Sequence, residues 1–310
     1  MDPEAFIGEQ MSAVDAHDVA AMRFGPGSRA VSCTPLSGGL ANQGVFVHEV
    51  RGPGGELRGR LVEKVTTRRI EAALAACTMR AGIAPDEVLA KVHAIGGEPG
   101  RYRLFMEHVG GIGAPAFLAT DHATQLAAAL VRLNALFDQF RTSFRLEFPV
   151  LPVFDERQQS RLERIIEPEI APQAMSMQAE IRAVAMQYPP VLGHNDLYWP
   201  NIGHAGDGAN AHAIFIDLGL AGYNLPGAEL HHFAQRAEKG DEHRAFFIAL
   251  TREYAGMMQF PVALVRMGAC FYASYRAFTR NMRKGSGKRP HDQPLRLLRH
   301  ARRALSELSL

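Results

Sequence analysis

The chain has 310 residues, 47% hydrophobic and 21% charged, proportions that exclude a wholly disordered polypeptide. Its 34 Lys and Arg against 32 Asp and Glu leave a net charge of only +2, so bulk charge gives no reason to expect nucleic acid or an anionic membrane as partner. Cys33, Cys77 and Cys270 are odd in number, far apart and outside any C-x-x-C pair, which fits reduced thiols in a cytoplasmic protein better than a disulfide frame. The acidic start MDPEAFIGEQ lacks the basic and apolar regions of a signal peptide, and no stretch approaches the ~20 apolar residues of a membrane span.

The first hundred residues read as strands. VSCTPLSGGLANQGVFVHEV alternates apolar and polar positions around a glycine pair, RGPGGELRG is a turn signal, and RLVEKV follows, together predicting an antiparallel sheet of hairpins. RRIEAALAACTMRAG has helical spacing, and YRLFMEHV is a further strand before the flexible GGIGAP. Beyond it the chain reads as mostly helical. One helix is capped at Thr120, one or two span 156–187, and others cover 229–256, 261–283 and 292–309. PPVLGH and HAIFIDL are short strands between them. The boundary falls at Gly110, Gly111 and Gly113, predicting an α+β protein with a small antiparallel-sheet lobe over 1–109 and a larger helical lobe over 110–310.

The segment VLGHNDLYWPNIG, followed by AIFIDLG, carries the chemistry. It holds His194-x-Asp196-x4-Asn201 and, sixteen residues after Asn201, Asp217 at the end of an apolar strand. That interval suits a hairpin turning at AGDGAN, which returns the second carboxylate beside the first loop. Phosphoryl transfer from a nucleoside triphosphate needs Mg²⁺, and hard oxygen donors such as the Asn201 amide and the Asp217 carboxylate suit that ion. Asp196 would orient the acceptor hydroxyl and take its proton, and His194 would brace the loop. The loop resembles the kinase catalytic loop, and Asp217-Leu218-Gly219 resembles the kinase metal-binding triplet.

The first lobe would then hold the nucleotide. Ser37, Gly38 and Gly39 lie between strands, where glycines let backbone N–H groups approach phosphate oxygens. Lys64, on the strand LVEKV, would contact the phosphates, with Glu71 on the next helix as its partner. Backbone groups of Glu107, His108 and Val109 would face an adenine-like edge.

HNDLYWPN (194–201) and IDLG (216–219) resemble the aminoglycoside phosphotransferase and choline kinase superfamily, which shares the protein-kinase-like fold. The resemblance implies a two-lobed fold and Mg²⁺-dependent transfer from ATP, or GTP, to a hydroxyl of a small molecule such as an amino alcohol or amino sugar. IDLGLAGYNLPGAELHHF is similar to the choline/ethanolamine kinase pattern through Tyr223-Asn224, Gly227, Glu229 and His232-Phe233. Gly219 stands where that branch has Glu, and Glu229 where an Asp that braces the loop is usual.

Trp199, the only tryptophan, reads as a packing residue beside the loop, with a cation–π contact to an ammonium as the other possibility. His194, His204, His212, His231 and His232 lie close in sequence but have no Cys partner or H-E-x-x-H spacing, so zinc is not expected. The basic residues Arg280, Arg283, Lys284, Lys288, Arg289, Arg296, Arg299, Arg302 and Arg303 read as a solvated helix face, without the aromatic interleaving of a nucleic-acid surface. Some of them meeting acidic groups of a substrate is a further reading. The competing functions are a catalytically idle kinase-like scaffold and a protein kinase; no A-P-E segment follows Asp217, against the latter. The sequence leaves oligomeric state open.

Overall fold

The computed structural model describes residues 3–36, 44–81, 88–110, 120–151, 171–205, 212–283 and 292–308. In chain order its elements are α1 (Pro3–Gln10), α2 (Ala16–Phe24), β1 (Arg29–Pro35), β2 (Gly44–Arg51), β3 (Leu57–Thr66), α3 (Arg69–Ala81), β4 (Val92–Glu98) and β5 (Arg101–Glu107). Then follow α4 (Thr120–Phe144), α5 (Ala171–Ala185), β6 (Val191–Gly193), β7 (Ile202–Ala205), β8 (His212–Phe215) and β9 (Gly222–Asn224). The chain ends in α6 (His231–Ala237), α7 (Asp241–Met258), α8 (Val262–Arg283) and α9 (Asp292–Leu308). No helix among the described residues is long and apolar enough to cross a membrane. The chain forms two compact units. The first comprises Met1–Gly113, Leu136–Phe148 and Trp199–Ala221, and the second Ala114–Ala135, Pro149–Tyr198 and Gly222–Leu310.

The first unit is built on a five-stranded antiparallel sheet of order β1-β2-β3-β5-β4. Alternation aims one face of the strands inward. Ala30, Val50, Leu61, Ala94 and Phe105 meet Ala16, Val19 and Ala20 of α2 in one buried cluster. Asp15 starts α2 with a capping box, accepting from the N–H groups of His17 and Asp18 while Asp18 accepts from the Asp15 N–H. Between β2 and β3 the turn closes through Gly52 N–H to Glu56 O at 2.9 Å, with Gly55 at φ +85°. Sequence alternation finds β5 but not its partner β4, because Gly96 and Gly97 and a register shift between Val92 and Ala94 spoil the period. The helices α1 and α2 also escape it, being only 8 and 9 residues long. A separate hairpin, β7–β8, pairs Ile202 with Phe215 and Ala205 with His212.

The second unit is mostly helical. A short ladder, β6–β9, pairs Val191 with Asn224 and Gly193 with Gly222, and the Pro149–Leu151 segment extends it through bonds to both backbone groups of Tyr223. The expected helix over 229–256 is interrupted. A 3₁₀ turn at Ala228–Leu230 precedes α6, and Gly240, in extended backbone, separates α6 from α7. The apolar stripe of α8 (Leu264, Val265, Met267, Phe271 and Phe278 among others) is fully buried. On α9, Arg296 reaches Glu238 at 3.3 Å and Arg302 reaches Glu180 at 2.9 Å, so its basic residues serve a solvated face laced with ion pairs. Lys284, Lys288 and Arg289 lie outside the described residues. All three cysteines are free; burial pushes the Cys77 and Cys270 thiols up to about 12, which makes both inert.

Candidate functional site

Lys64 sits on a central strand, paired with Val45 on one side and Leu104 on the other, and is only 4% exposed. A buried ammonium demands partners. Its Nζ donates to Glu71, in the first turn of α3, and at 2.8 Å to Oδ1 of Asp217. Burial alone would pull this lysine toward neutrality, but the Glu71 and Asp217 carboxylates outweigh it and hold its pKa above the ordinary value. The second oxygen of Glu71 is buried with no hydrogen-bond partner among the described residues.

The β7–β8 hairpin brings Asp217 back toward Asn201. The Ile216 N–H donates to the Asn201 carbonyl at 3.0 Å, so the residue before Asp217 is tied to the other metal-ligand candidate. Asn201 is buried in the turn Trp199–Asn201, and Trp199 is buried beside it. Asp217 adopts a left-handed backbone at φ +63°, tolerated best by Asn and Asp among residues with a β-carbon. Its side chain is 35% exposed, leaving the carboxylate open to a ligand. A β-carbon on Gly219 would stand 3.6 Å from Asp217 Oδ1 and 3.2 Å from Arg68 Cγ, so glycine keeps this corner clear. A small, partly open cleft adjoins these groups. Leu74, Thr78, Leu104, Met106 and Phe215 wall it, and Glu71 and Asp217 supply polar lining.

Of the base-edge candidates, Glu107 is engaged by Lys91: its N–H donates to the Lys91 carbonyl and its carboxylate accepts from the Lys91 N–H at 2.7 Å. Val109 is buried with Ala90 and Ile214. Gly203 makes room for it, since a β-carbon there would lie 2.2 Å from Val109 Cγ1. Burial and then the charge of Arg60 lower the pKa of His108. Ser37, Gly38 and Gly39 lie outside the described residues.

In the second unit the strand β6 delivers His194-Asn195-Asp196. His194 is fully buried, and its Nδ1 accepts the Asp196 N–H at 3.3 Å. Asn195 takes the left-handed conformation, φ +58°. Its amide locks that turn by donating to the carbonyls of Gly193 and Gly222, while Asn224 donates to its oxygen. Beneath the loop, Glu229 accepts from Tyr254 Oη at 2.6 Å, Asn134 Nδ2 at 3.1 Å and the His194 N–H at 3.2 Å. Burial raises its pKa despite these three donors. The longer acid thus braces the loop from below.

Asp196 keeps a partly open carboxylate, 23% exposed. Burial would raise its pKa, but the hydrogen bond from His232 at 3.3 Å and the charge of Arg276, with Nη2 at 3.4 Å, prevail and hold it below the usual carboxylate value. Tyr198 lies against the His232 ring at 5.0 Å between centroids, and the His231 ring at 4.0 Å. His231 Nδ1 donates to the Ala228 carbonyl at 3.1 Å, while its Nε2 is buried without a hydrogen-bond partner among the described residues. Burial, followed by the charges of His232 and Arg276, keeps His231 neutral, its pKa well below the ordinary value.

The structure therefore groups Lys64, Glu71 and Asp217 in one cluster, with Asn201 tied in through the backbone, and His194 and Asp196 in another. Sequence reasoning missed Arg276, Asn134 and Tyr254. Tyr272, Arg276 and Arg280 stand four apart on α8, a spacing that places them on one helix face and was visible in the sequence. Asn134 and Tyr254 carried no such signal, because a buried acid can draw its donors from any neighbouring helix.

A five-stranded antiparallel sheet with a buried lysine on a central strand, joined to a mostly helical unit, defines the α+β protein-kinase-like fold. The sequence profile described as "Phosphotransferase enzyme family" matches residues 32–260, and the chain belongs to that family. Sequence comparison with curated proteins gives no match. Among solved structures, a thermostable mutant of aminoglycoside phosphotransferase APH(4)-Ia, in a ternary complex with AMP-PNP and hygromycin B, superposes with a TM-score of 0.57 at 12% identity, covering 95% of this chain and 98% of that one. A microcompartment-associated aminopropanol kinase gives 0.53 at 14% identity, covering 93% and 94%. The choline kinase of Cryptosporidium parvum Iowa II gives 0.51 at 15% identity, covering 90% of both chains. At these identities the likeness is one of fold.

Proposed function

We propose that the protein is a small-molecule kinase of the cytoplasm that moves the terminal phosphoryl group of ATP, or GTP, to a hydroxyl of an amino alcohol, amino sugar or similar metabolite. The observation that carries the reading is the buried Lys64 ammonium held between Glu71 and Asp217, a charge arrangement suited to a triphosphate and out of place in a mere core. In this reading Lys64 steadies the phosphates. Asp217 and Asn201 hold Mg²⁺, and the donor set fits that ion: a half-open carboxylate and an amide oxygen, both hard oxygen ligands. The ion, when bound, neutralises phosphate charge. Asp196, kept ionised by His232 and Arg276, orients the acceptor hydroxyl and receives its proton. Alignment and charge neutralisation supply most of the rate. The AMP-PNP held by the superposed aminoglycoside phosphotransferase supports a nucleotide as donor.

The test is a metabolite-library screen for nucleotide-dependent phosphorylation, repeated with Asp196→Ala and Asp217→Ala. Turnover in Asp196→Ala falls by about 10²–10⁴ while Mg–nucleotide still binds, and Asp217→Ala weakens nucleotide binding as well. Full turnover in Asp196→Ala discards the assignment.

A further inference from the structure

We infer that the acceptor carries an anionic group, a carboxylate or a phosphate, which Arg276, with Arg280 one turn further along α8, engages while the hydroxyl is presented to Asp196. This rests on the phosphotransferase reading and narrows its substrate class.

Three observations carry the inference. First, the Arg276–Asp196 contact is poorly made. At 3.4 Å from a single Nη2 it falls outside the range of a good charge-assisted bond, and it is not the bidentate grip for which a guanidinium is shaped. Arg276 is 25% exposed, lies over the Tyr272 ring at 6.0 Å and shares a hydrogen bond with the Tyr272 side chain, so it is held in place while part of the guanidinium still reaches solvent. Second, a guanidinium beside a proton acceptor weakens that acceptor. The arrangement serves catalysis once an anion of the acceptor neutralises Arg276 and restores the basicity of Asp196. Third, the surroundings are cationic. The Arg276 and Arg280 guanidiniums both act on His231 and His232, after the charge of His232 on the first and of Asp196 on the second, and Arg276 leads the charges on Tyr272; the carboxylate that acts on His232 and Tyr272 is Asp196. Glu229, the next acid of this cluster, is buried and takes three donors from the protein. Among the described residues of this cluster, an ammonium-bearing acceptor would find no second open carboxylate.

The same charges argue against a cation at the cluster itself. One oxygen of Asp196 and one ring nitrogen each of His231 and His232 lie within 4.8 Å of one another, a spacing compatible with a metal. The adjacent guanidiniums repel a divalent ion and attract an anion.

The experiment saturates the full chain with Mg²⁺ and AMP-PNP, so that the triphosphate site is filled, and titrates it calorimetrically with inorganic phosphate and, separately, acetate. At least one anion saturates below about 10 mM, and which one binds more tightly separates a phosphate from a carboxylate. Arg276→Gln weakens that anion by about tenfold or more, Arg276→Lys recovers part of the loss, and Mg–AMP-PNP affinity stays within about twofold in both. No saturation by either anion, or saturation unchanged in Arg276→Gln, overturns the inference and leaves the kinase reading standing. Failure of Mg–AMP-PNP to bind overturns the kinase reading and the inference with it. A preferred acceptor from the metabolite screen that bears an ammonium and no anionic group also overturns the inference.

Discussion

Gly193 and Glu229 compete for one space: a β-carbon on Gly193 would lie 2.6 Å from Oε2 of Glu229, the oxygen that accepts the His194 N–H. The extra methylene of Glu over Asp at this position therefore depends on the missing side chain of Gly193. Gly193→Ala is expected to push Glu229 away and leave the His194 N–H and the Asn134 and Tyr254 donors poorly matched, costing about 1–3 kcal/mol. Glu229→Asp shortens the acid and frees the space. The double variant should lose less than the sum of the two singles, with a coupling of about 0.5–3 kcal/mol. Urea denaturation of the four proteins measures it, and strict additivity refutes the shared-space account.

Lys64 stands where removing one charge leaves others exposed to each other. Lys64→Met deletes the ammonium between two carboxylates and strands Glu71 in a buried site. Breaking a buried pair from one side costs about 3–5 kcal/mol. Asp217 is 35% exposed and recovers part of that through water. The double variant Lys64→Met/Glu71→Leu should be more stable than Lys64→Met alone, while neither binds Mg–AMP-PNP as the parent does. Denaturation and calorimetric titration separate the two effects; a double variant no more stable than the single removes the stranded-charge explanation.

How far the sequence reveals this arrangement depends on how local each signal is. The interval from Asn201 to Asp217 implied a hairpin, and β7–β8 has its strands at that place, because an apolar run broken by a Gly/Asp turn is settled by neighbours in the chain. The strand carrying Lys64 and the helix carrying Glu71 were legible for the same reason. Arg276 was not, because its relation to Asp196 spans 80 residues of sequence and depends on how α8 packs. Nor does alternation explain why both Glu63 and Lys64, on opposite faces of β3, are buried. Glu63 is enclosed by His48 at 3.0 Å and Arg103 at 2.8 Å, partners that only the sheet register supplies.

Acid should destabilise the protein between about pH 6.5 and pH 4. Burial, then the charges of Arg23 and Lys91, lowers His93 to about 4 from its ordinary 6.5. Burial also lowers His231 and His232. Each histidine is depressed in the folded state, so the unfolded chain binds its proton first. Its contribution is intact above the unfolded value near 6.5, declines as pH falls toward the folded value, and is constant below it. Where one histidine is charged only in the unfolded chain, the slope approaches about 1.4 kcal/mol per pH unit. The raised pKa of Glu229 works the other way, so the single-site difference is the cleaner measure. Denaturation midpoints at pH 7.5, 6.0 and 5.0 for the parent and His93→Gln should converge as pH falls, the variant losing less. Parallel declines would mean that His93 is not charging on unfolding.

The position of Arg276 depends on how closely α8 meets the segment before α6. A β-carbon on Gly268 would fall 1.9 Å from the Pro226 carbonyl oxygen, and one on Gly227, at φ +81°, would fall 2.1 Å from the Val265 carbonyl oxygen. Both obstacles are backbone, so neither can be relieved by turning a side chain, and Gly227 adds the strain of a left-handed conformation. Gly268→Ala must therefore move α8 away from the 226–228 segment, carrying Tyr272 and Arg276 with it. The expected result is a loss of stability of about 1–3 kcal/mol, as for an overpacked contact. The shift of α8 should also weaken Arg276's hold on Asp196, so the Asp196 carboxyl pKa rises. Gly256→Ala, on α7 with nothing within 4 Å of its β-carbon, is the control and should be neutral or slightly stabilising because alanine favours the helix. Thermal denaturation of the two variants beside the parent, with the Asp196 titration followed by carbonyl-carbon NMR, decides it. Equal stability of Gly268→Ala and Gly256→Ala would show that α8 tolerates the displacement and that this contact does not set where Arg276 stands.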